Sequence, residues 1–161
     1  MGLVIPFAGR ESAILGYHGD ATYNGPIRLH RGAVAASWDR QVAEFDIRPG
    51  DGLLPTSAFS GGNQQKIVLA RELDRNPDLL LIGQPTRGVD IGAIEFIHRR
   101  LVALRDAGKA LLVVSVELDE ILALADRILV MHDGRIVGDV PRASASEREL
   151  GLMMAGVSEP S

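Results

Sequence analysis

The 161-residue chain contains no cysteine. That excludes disulfides and thiolate metal sites, and it fits a reducing compartment. Long apolar runs are also missing: none approaches the roughly 20 residues that cross a bilayer as a helix. The first nine residues show no basic leader ahead of a long apolar stretch. The expectation is a chain without signal peptide or transmembrane segment, which meets a membrane only through a partner. A basic excess is absent too. Seventeen Lys and Arg face 21 Asp and Glu, a net charge of −4, so the charge balance does not suggest nucleic acid as a partner. Lysine itself is scarce, with Lys66 and Lys109 as the only two. What remains, 46% apolar residues and mild charge, is the composition of one soluble globular domain with a core of its own.

Three stretches differ in pattern. Residues 1–58 are weakly patterned, with short apolar pieces between Gly, Pro and Asn and a turn signal at Asn24-Gly25-Pro26. One amphipathic helix is expected from Ser37 to Phe45, with Trp38, Val42 and Phe45 on one face and Ser37 as its cap. Residues 59–141 alternate cleanly. A helix is expected from Ser60 to about Asp74, then a strand at Leu79–Ile82 whose wholly apolar run suits burial on both faces. The next helix carries Ile94, Ile97, Leu101 and Leu104 in a stripe and stops at Gly108. Ala110–Val114 reads as a second buried strand. Leu118, Ile121, Leu122 and Ala125 mark another helix, with Glu117, Asp119 and Glu120 in an acidic first turn. Ile128–Met131 and Arg135–Val140 form a hairpin around Asp133-Gly134. Strand, helix, strand, helix, strand is an α/β pattern with a mainly parallel sheet, here followed by a C-terminal β-hairpin. Residues 142–161 hold a short helix, Ser146–Met154, and a polar end expected to fray.

Ser60-Gly61-Gly62 stands at the start of the first of these helices. Such an end presents unpaired N–H groups and a positive dipole end, which suit phosphate. Two glycines let a backbone come close to a ligand, and Ser60 adds a hydroxyl. Taken alone, Ser-Gly-Gly is also an ordinary capped loop.

The longer run Phe59-Ser60-Gly61-Gly62-Asn63-Gln64-Gln65-Lys66, continued to Glu72, resembles the signature segment of ATP-binding cassette (ABC) proteins. Leu79–Ile82 with Gly83-Gln84-Pro85-Thr86 resembles the Walker B strand and its exit, Arg87-Gly88-Val89-Asp90 the following D-loop, and Ala110–Glu117 the strand that ends at the switch position. The likeness is strong over about residues 57–140 and weak before them. The wording Gly-Gly-Asn-Gln-Gln and Pro-Thr-Arg-Gly-Val-Asp is typical of importers of sugars and nucleosides, and the chain looks like the later part of a second cassette.

The resemblance implies a partial P-loop NTPase-like (ABC ATPase) fold. Residues 1–58 would be part of a helical subdomain, 59–141 the α/β core with signature and Walker B, and 142–161 a tail, together one incomplete nucleotide-binding domain. In this family two cassettes meet head to tail, so Ser60, Gly61, Gly62, Asn63 and Gln64 would face ATP held by a partner cassette, with Asp90 at the same interface. The implied partners are that second cassette and an integral-membrane permease, and the implied place is the cytoplasmic face of the membrane. ATP and Mg²⁺ belong to the complete complex; none is expected for the isolated chain.

Several family positions are altered. No sequence of the form GxxxxGK[ST] occurs, so a chain lacking the phosphate-wrapping Walker A loop is expected. Gly83 stands where the family has the Walker B Asp, and glycine has no carboxylate for a magnesium shell. Gln84 stands at the catalytic Glu position; an amide orients water but accepts no proton, and loss of a general base costs about 10²–10⁴ in rate. Val116 stands at the switch His position. The expectation is an ATPase component inactive by itself, whose signature completes a partner's site. The second reading is a non-catalytic module that docks on a cassette or permease and regulates it. His18, His30, His98 and His132 lack ligand spacing and suit surface or turn roles, so no metal site is expected. A Ser115, Asp119 and His132 triad lacks a nucleophile elbow.

Overall fold

A computed structural model describes residues 2–157. The polar end expected to fray lies, from residue 158, outside the described residues. The chain divides into two compact units. The first holds the residues up to Asp78 together with Thr86–Ile97; the second holds Leu79–Pro85 together with the residues from His98 onward.

The first unit is helical. Its elements are α1 (Gly9–Ser12), α2 (Arg31–Phe45), α3 (Gly61–Leu73) and the beginning of α4 (Ile91–Asp106). Its core gathers Ala13, Trp38, Phe45, Ile47, Phe59, Ile67 and Ala70. Trp38 meets Phe59 edge to face at 5.9 Å, and its indole N–H donates to the Gly50 carbonyl at 2.7 Å. The ring therefore gains apolar contact without leaving its polar atom unpaired. Phe45 packs edge to face on Phe96 of α4 at 6.3 Å.

Helix α2 begins at Arg31, six residues before the expected start at Ser37. The alanine-rich run Ala33–Ala36 favours helix, and Val34 is buried in a small cluster with Ile14 and Tyr23. Gly32, a weak helix former, hides this start in the sequence. Ser37 is thus no cap. It is buried inside α2, where its hydroxyl shares a hydrogen bond with the Tyr23 hydroxyl at 3.0 Å. At Asn24-Gly25-Pro26 the chain does turn, and the Gly25 N–H donates to the Arg28 carbonyl at 3.0 Å.

The second unit carries the strands. β1 (Leu79–Gly83) pairs in parallel with β2 (Ala110–Val114), Leu79 beside Ala110 through Gly83 beside Val114. The connection runs through α4, which ends at Gly108 with φ +83°, a conformation easy only for glycine. α5 (Leu118–Leu124) leads to the antiparallel pair β3 (Arg127–His132) and β4 (Arg135–Pro141). Asp133 and Gly134, both at positive φ, close this hairpin. α6 (Glu147–Met154) is capped by Ser146, whose hydroxyl accepts the Glu149 N–H at 3.2 Å. α5 and α6 cover one hairpin face, with Ile128, Val130, Val140 and Leu150 buried beneath Leu118, Ile121, Leu122 and Met153. In the acidic first turn of α5, Glu120 faces inward, 4% exposed, with one carboxylate oxygen 3.3 Å from His98 Nε2. His98 is therefore a packed partner of a buried carboxylate and not the surface histidine expected.

Burial of β1 and β2 on both faces is not observed. Leu80 is buried, whereas Leu79, Leu81, Leu112 and Val114 are 52–73% exposed. A continuous apolar run fits a strand covered on two sides; here the described residues cover one.

Ile67 has no exposed surface. Ile67→Ala should lower the stability of the first unit by about 2–5 kcal/mol. Denaturant unfolding followed by the fluorescence of Trp38, the only tryptophan, checks this.

Candidate functional site

The site is built where α3 begins. The chain arrives through a 3-10 turn, Thr56–Ala58, that the fold holds firmly. Thr56 is fully buried, with its hydroxyl 2.8 Å from that of Ser12 and donating to the Phe7 carbonyl at 2.9 Å. Phe59 enters the core, and Ser60, in extended conformation, caps the helix. The Ser60 hydroxyl accepts the Asn63 backbone N–H at 3.3 Å and the Asn63 side-chain N–H at 3.0 Å. The Ser60 carbonyl accepts the Gln64 N–H at 2.8 Å. The amides of Gly61 and Gly62 are those that an α-helix leaves without an intrahelical acceptor.

Gly62 is fixed by its surroundings. A Cβ there would stand 2.8 Å from the Ala93 Cβ and 3.0 Å from Asp90 Oδ2; at Gly61 it would stand 3.0 Å from the Gly88 carbonyl oxygen. The start of α3 and the start of α4 approach this closely because residue 62 has no side chain. Asp90 caps α4: its Oδ1 accepts the Ala93 N–H at 2.9 Å and its carbonyl accepts the Ile94 N–H at 3.0 Å. The structural role expected of Asp90 is present, and the cap brings its carboxylate beside the signature.

Two further side chains of the motif turn back onto the chain. Gln64 Nε2 donates to the carbonyls of Phe59 at 2.9 Å and Thr56 at 3.3 Å. Asn63 Oδ1 accepts the Arg48 backbone N–H at 2.7 Å. One turn on, Lys66 donates to the Asp46 carbonyl at 2.8 Å and lies over the Phe96 ring at 4.7 Å. Asn63 and Lys66 thus grip the loop after α2, which leaves that helix through Asp46 at φ 49°. The Asp46 carboxyl is held below the ordinary aspartate range, first by the 2.8 Å hydrogen bond from Arg48 Nε and then by the charges of Arg48 and Lys66.

The altered positions lie in the second unit. Gly83 ends β1 with open space around its missing side chain. Gln84 follows at φ 51°, and its N–H donates to the Val114 carbonyl at 2.8 Å, extending the sheet by one bond. Val116, after β2, is 64% exposed. Among the described residues no three His, Asp or Glu side chains cluster as metal ligands, and no helix is long and apolar enough to cross a membrane. Sequence reasoning missed Arg48 and Thr56. Both act through backbone groups of loops, and no periodicity or motif marks them.

The fold is that of part of an ATP-binding cassette. It matches the dimeric bacterial ABC transporter cassette MJ0796 with a TM-score of 0.69 at 21% identity, over 87% of this chain and 59% of that one. A nucleotide-free ATP-binding cassette from an ABC transporter matches with a TM-score of 0.70 at 18% identity, over 94% of this chain and 60% of that one. No protein-family model matches. By sequence, the chain is 46% identical over 158 residues to the guanosine import ATP-binding protein NupO of Bacillus subtilis, covering 98% of this chain and 31% of that protein. It is 58% identical over 115 residues to the nucleoside import ATP-binding protein NupA of Lactococcus lactis subsp. cremoris, covering 71% of this chain and 23% of that protein. To the ribose import ATP-binding protein RbsA 2 of Rubrobacter xylanophilus it is 39% identical over 160 residues, covering 99% and 30%. The relatives that cover most of this chain are thus ATP-binding proteins named for sugar and nucleoside import, and the solved structures that share its fold are ABC cassettes. The chain spans about a quarter to a third of the length of these curated relatives.

Gly62→Val should destabilise the first unit by about 1–3 kcal/mol, since the added atoms must displace Ala93 or Asp90; a thermal melt reads this. The Asp46 pairing has a defined pH sign. A folded pKa below the unfolded value of about 3.9 means that the contribution is present above that value and lost as pH falls through the folded one. Amide-exchange protection at Arg48 and Asn63 should therefore drop below about pH 4, and Asp46→Asn should remove that step.

Proposed function

We propose that this chain serves as an ATP-binding component of an ABC transporter that imports sugars or nucleosides, and that its signature helix completes an ATP site held by a second cassette. The observation that carries this reading is the arrangement at the start of α3. Ser60 is exposed, and the side chains of Asn63 and Gln64 are engaged with the chain's own loops. What the helix end offers is the exposed Ser60 hydroxyl and the half-buried Gly61 amide, with the buried Gly62 amide behind them. These are hydrogen-bond donors at the positive end of a 13-residue helix, the donor set that a phosphate takes. Such an end contributes about 0.3–2 kcal/mol. That suffices to favour closure on a nucleotide bound elsewhere and falls far short of binding ATP alone. Asp90, beside Gly62, belongs to the same contact surface.

The residues at the end of β1 support a degenerate role for the other site. Gly83 supplies no carboxylate, so this strand end does not suit a magnesium ion. Gln84 can hold a water molecule by its amide but takes no proton from it, and Val116 offers no imidazole. In a two-site assembly, turnover then belongs to the site to which this chain lends its signature. The site containing Gln84 is silent. The names of NupO and NupA support a nucleoside as cargo, in line with Gly83-Gln84-Pro85. The working place is the cytoplasmic face of the membrane, against an integral-membrane permease. The same Gly83 and Gln84 also suit a second reading, a purely regulatory module on a cassette or permease.

Ser60→Arg places a bulky side chain where the hydroxyl meets the partner's nucleotide. In a complex with a complete cassette, it should cut the partner's ATPase rate at least tenfold. An unchanged rate refutes the trans role and leaves the regulatory reading.

A further inference from the structure

We infer that Asn63 is a positioning residue that sets the direction of the Ser60 hydroxyl proton, through a relay that begins at the Arg48 backbone amide. The inference rests on the trans reading of the signature and assigns a role that this reading does not need.

The chemistry of the three groups fixes the direction. A backbone N–H can only donate, so the Asn63 side-chain atom 2.7 Å from the Arg48 nitrogen must be the carbonyl oxygen. That places the Asn63 NH₂ group toward Ser60, where it donates to Oγ at 3.0 Å. The Asn63 backbone N–H donates to the same Oγ at 3.3 Å. A hydroxyl has two lone pairs and one proton. With both lone pairs taken from the helix side, the proton is directed away from the helix. Ser60 Oγ is thereby set as a donor toward solvent, the polarity an anionic oxygen requires. Without the relay, the hydroxyl proton has neither direction imposed and the lone pairs of Oγ can face the phosphate, which repels.

The relay is anchored, not free. Arg48 is held by its own side chain on Asp46 at 2.8 Å, and Lys66 binds the Asp46 carbonyl from the same face of α3 as Asn63. The loop after α2 and the signature hydroxyl are thus joined by three consecutive polar contacts: Asp46 to Arg48, Arg48 to Asn63, Asn63 to Ser60. A shift of that loop reaches the hydroxyl before it reaches the helix backbone.

The test is the steady-state MgATPase of the complex with a complete cassette, using Ser60→Ala, Asn63→Asp, Asn63→Ala and the double variant Ser60→Ala with Asn63→Asp. Asn63→Asp has the same shape and still accepts the Arg48 N–H, but it turns an acceptor to Ser60 and pulls the hydroxyl proton inward. It should lower kcat as much as Ser60→Ala, on the order of 100-fold or more. The double variant should fall no further than either single one. Asn63→Ala, which only releases the hydroxyl, should lose less. Thermal melts accompany each variant, and the double-variant comparison is made within folded proteins; if Asn63→Asp does not fold, the double variant Ser60→Ala with Asn63→Ala replaces it, and it should fall no further than Ser60→Ala alone. Full multiplication of the two losses, or an Asn63→Asp rate equal to the unmodified one while Ser60→Ala is impaired, overturns the relay and leaves the trans reading standing. An unimpaired Ser60→Ala overturns both.

Discussion

The arrangement of the site depends on the close approach of two helix starts at Gly62. With no side chain at residue 62, the Ala93 methyl and the Asp90 carboxylate can lie where a Cβ would otherwise be. Asp90 then caps α4 with its other oxygen, and Gly88 and Asp90 stand against Gly61 and Gly62. Ser60, one step before the two glycines, is left at the surface as the cap of α3. A single absent methyl group thus brings together two segments about thirty residues apart in the chain. The rest of the first unit serves to hold them there: the buried Thr56 turn, the Trp38 and Phe59 pair, and Ile67 beneath the helix.

The two functional halves of the chain differ in what their residues can do. The start of α3 combines an exposed hydroxyl at Ser60 with the unpaired amides of a helix end, groups of the kind that suit a phosphate. The ends of β1 and β2 carry Gly83, Gln84 and Val116, none of which has a charged group. A helix end and a pair of glycines are shaped by backbone, and they persist as long as the fold does. Carboxylates and imidazoles are single side chains that one substitution each removes.

Much of this was legible in the sequence where the signal is local. The start of α3, the end of α4 and the hairpin turn follow from Ser60, Gly108, Asp133 and Gly134, because caps and turns act over three or four residues. The start of α2 was not legible, since Gly32 masks a helix that Val34 secures by burial. The exposure of Leu79, Leu81, Leu112 and Val114 was not legible either, because an apolar run states what a strand would bury and not whether a neighbour covers it. At the start of α3, the motif named positions but not the directions of their side chains. That Gln64 turns to Thr56 and Phe59, and Asn63 to Arg48, depends on loop carbonyls and amides that carry no residue signature.

The central claim is that the exposed start of α3 meets a nucleotide held by another cassette. The chain has no cysteine, so the thiol introduced by Ser60→Cys is unique and reports on that point alone. Its alkylation by a small maleimide should proceed at the same rate in the free chain with or without MgATP, and should slow at least tenfold only when a complete cassette and MgATP are both present. Equal alkylation in the presence of both, or protection by MgATP without a partner, would contradict the account.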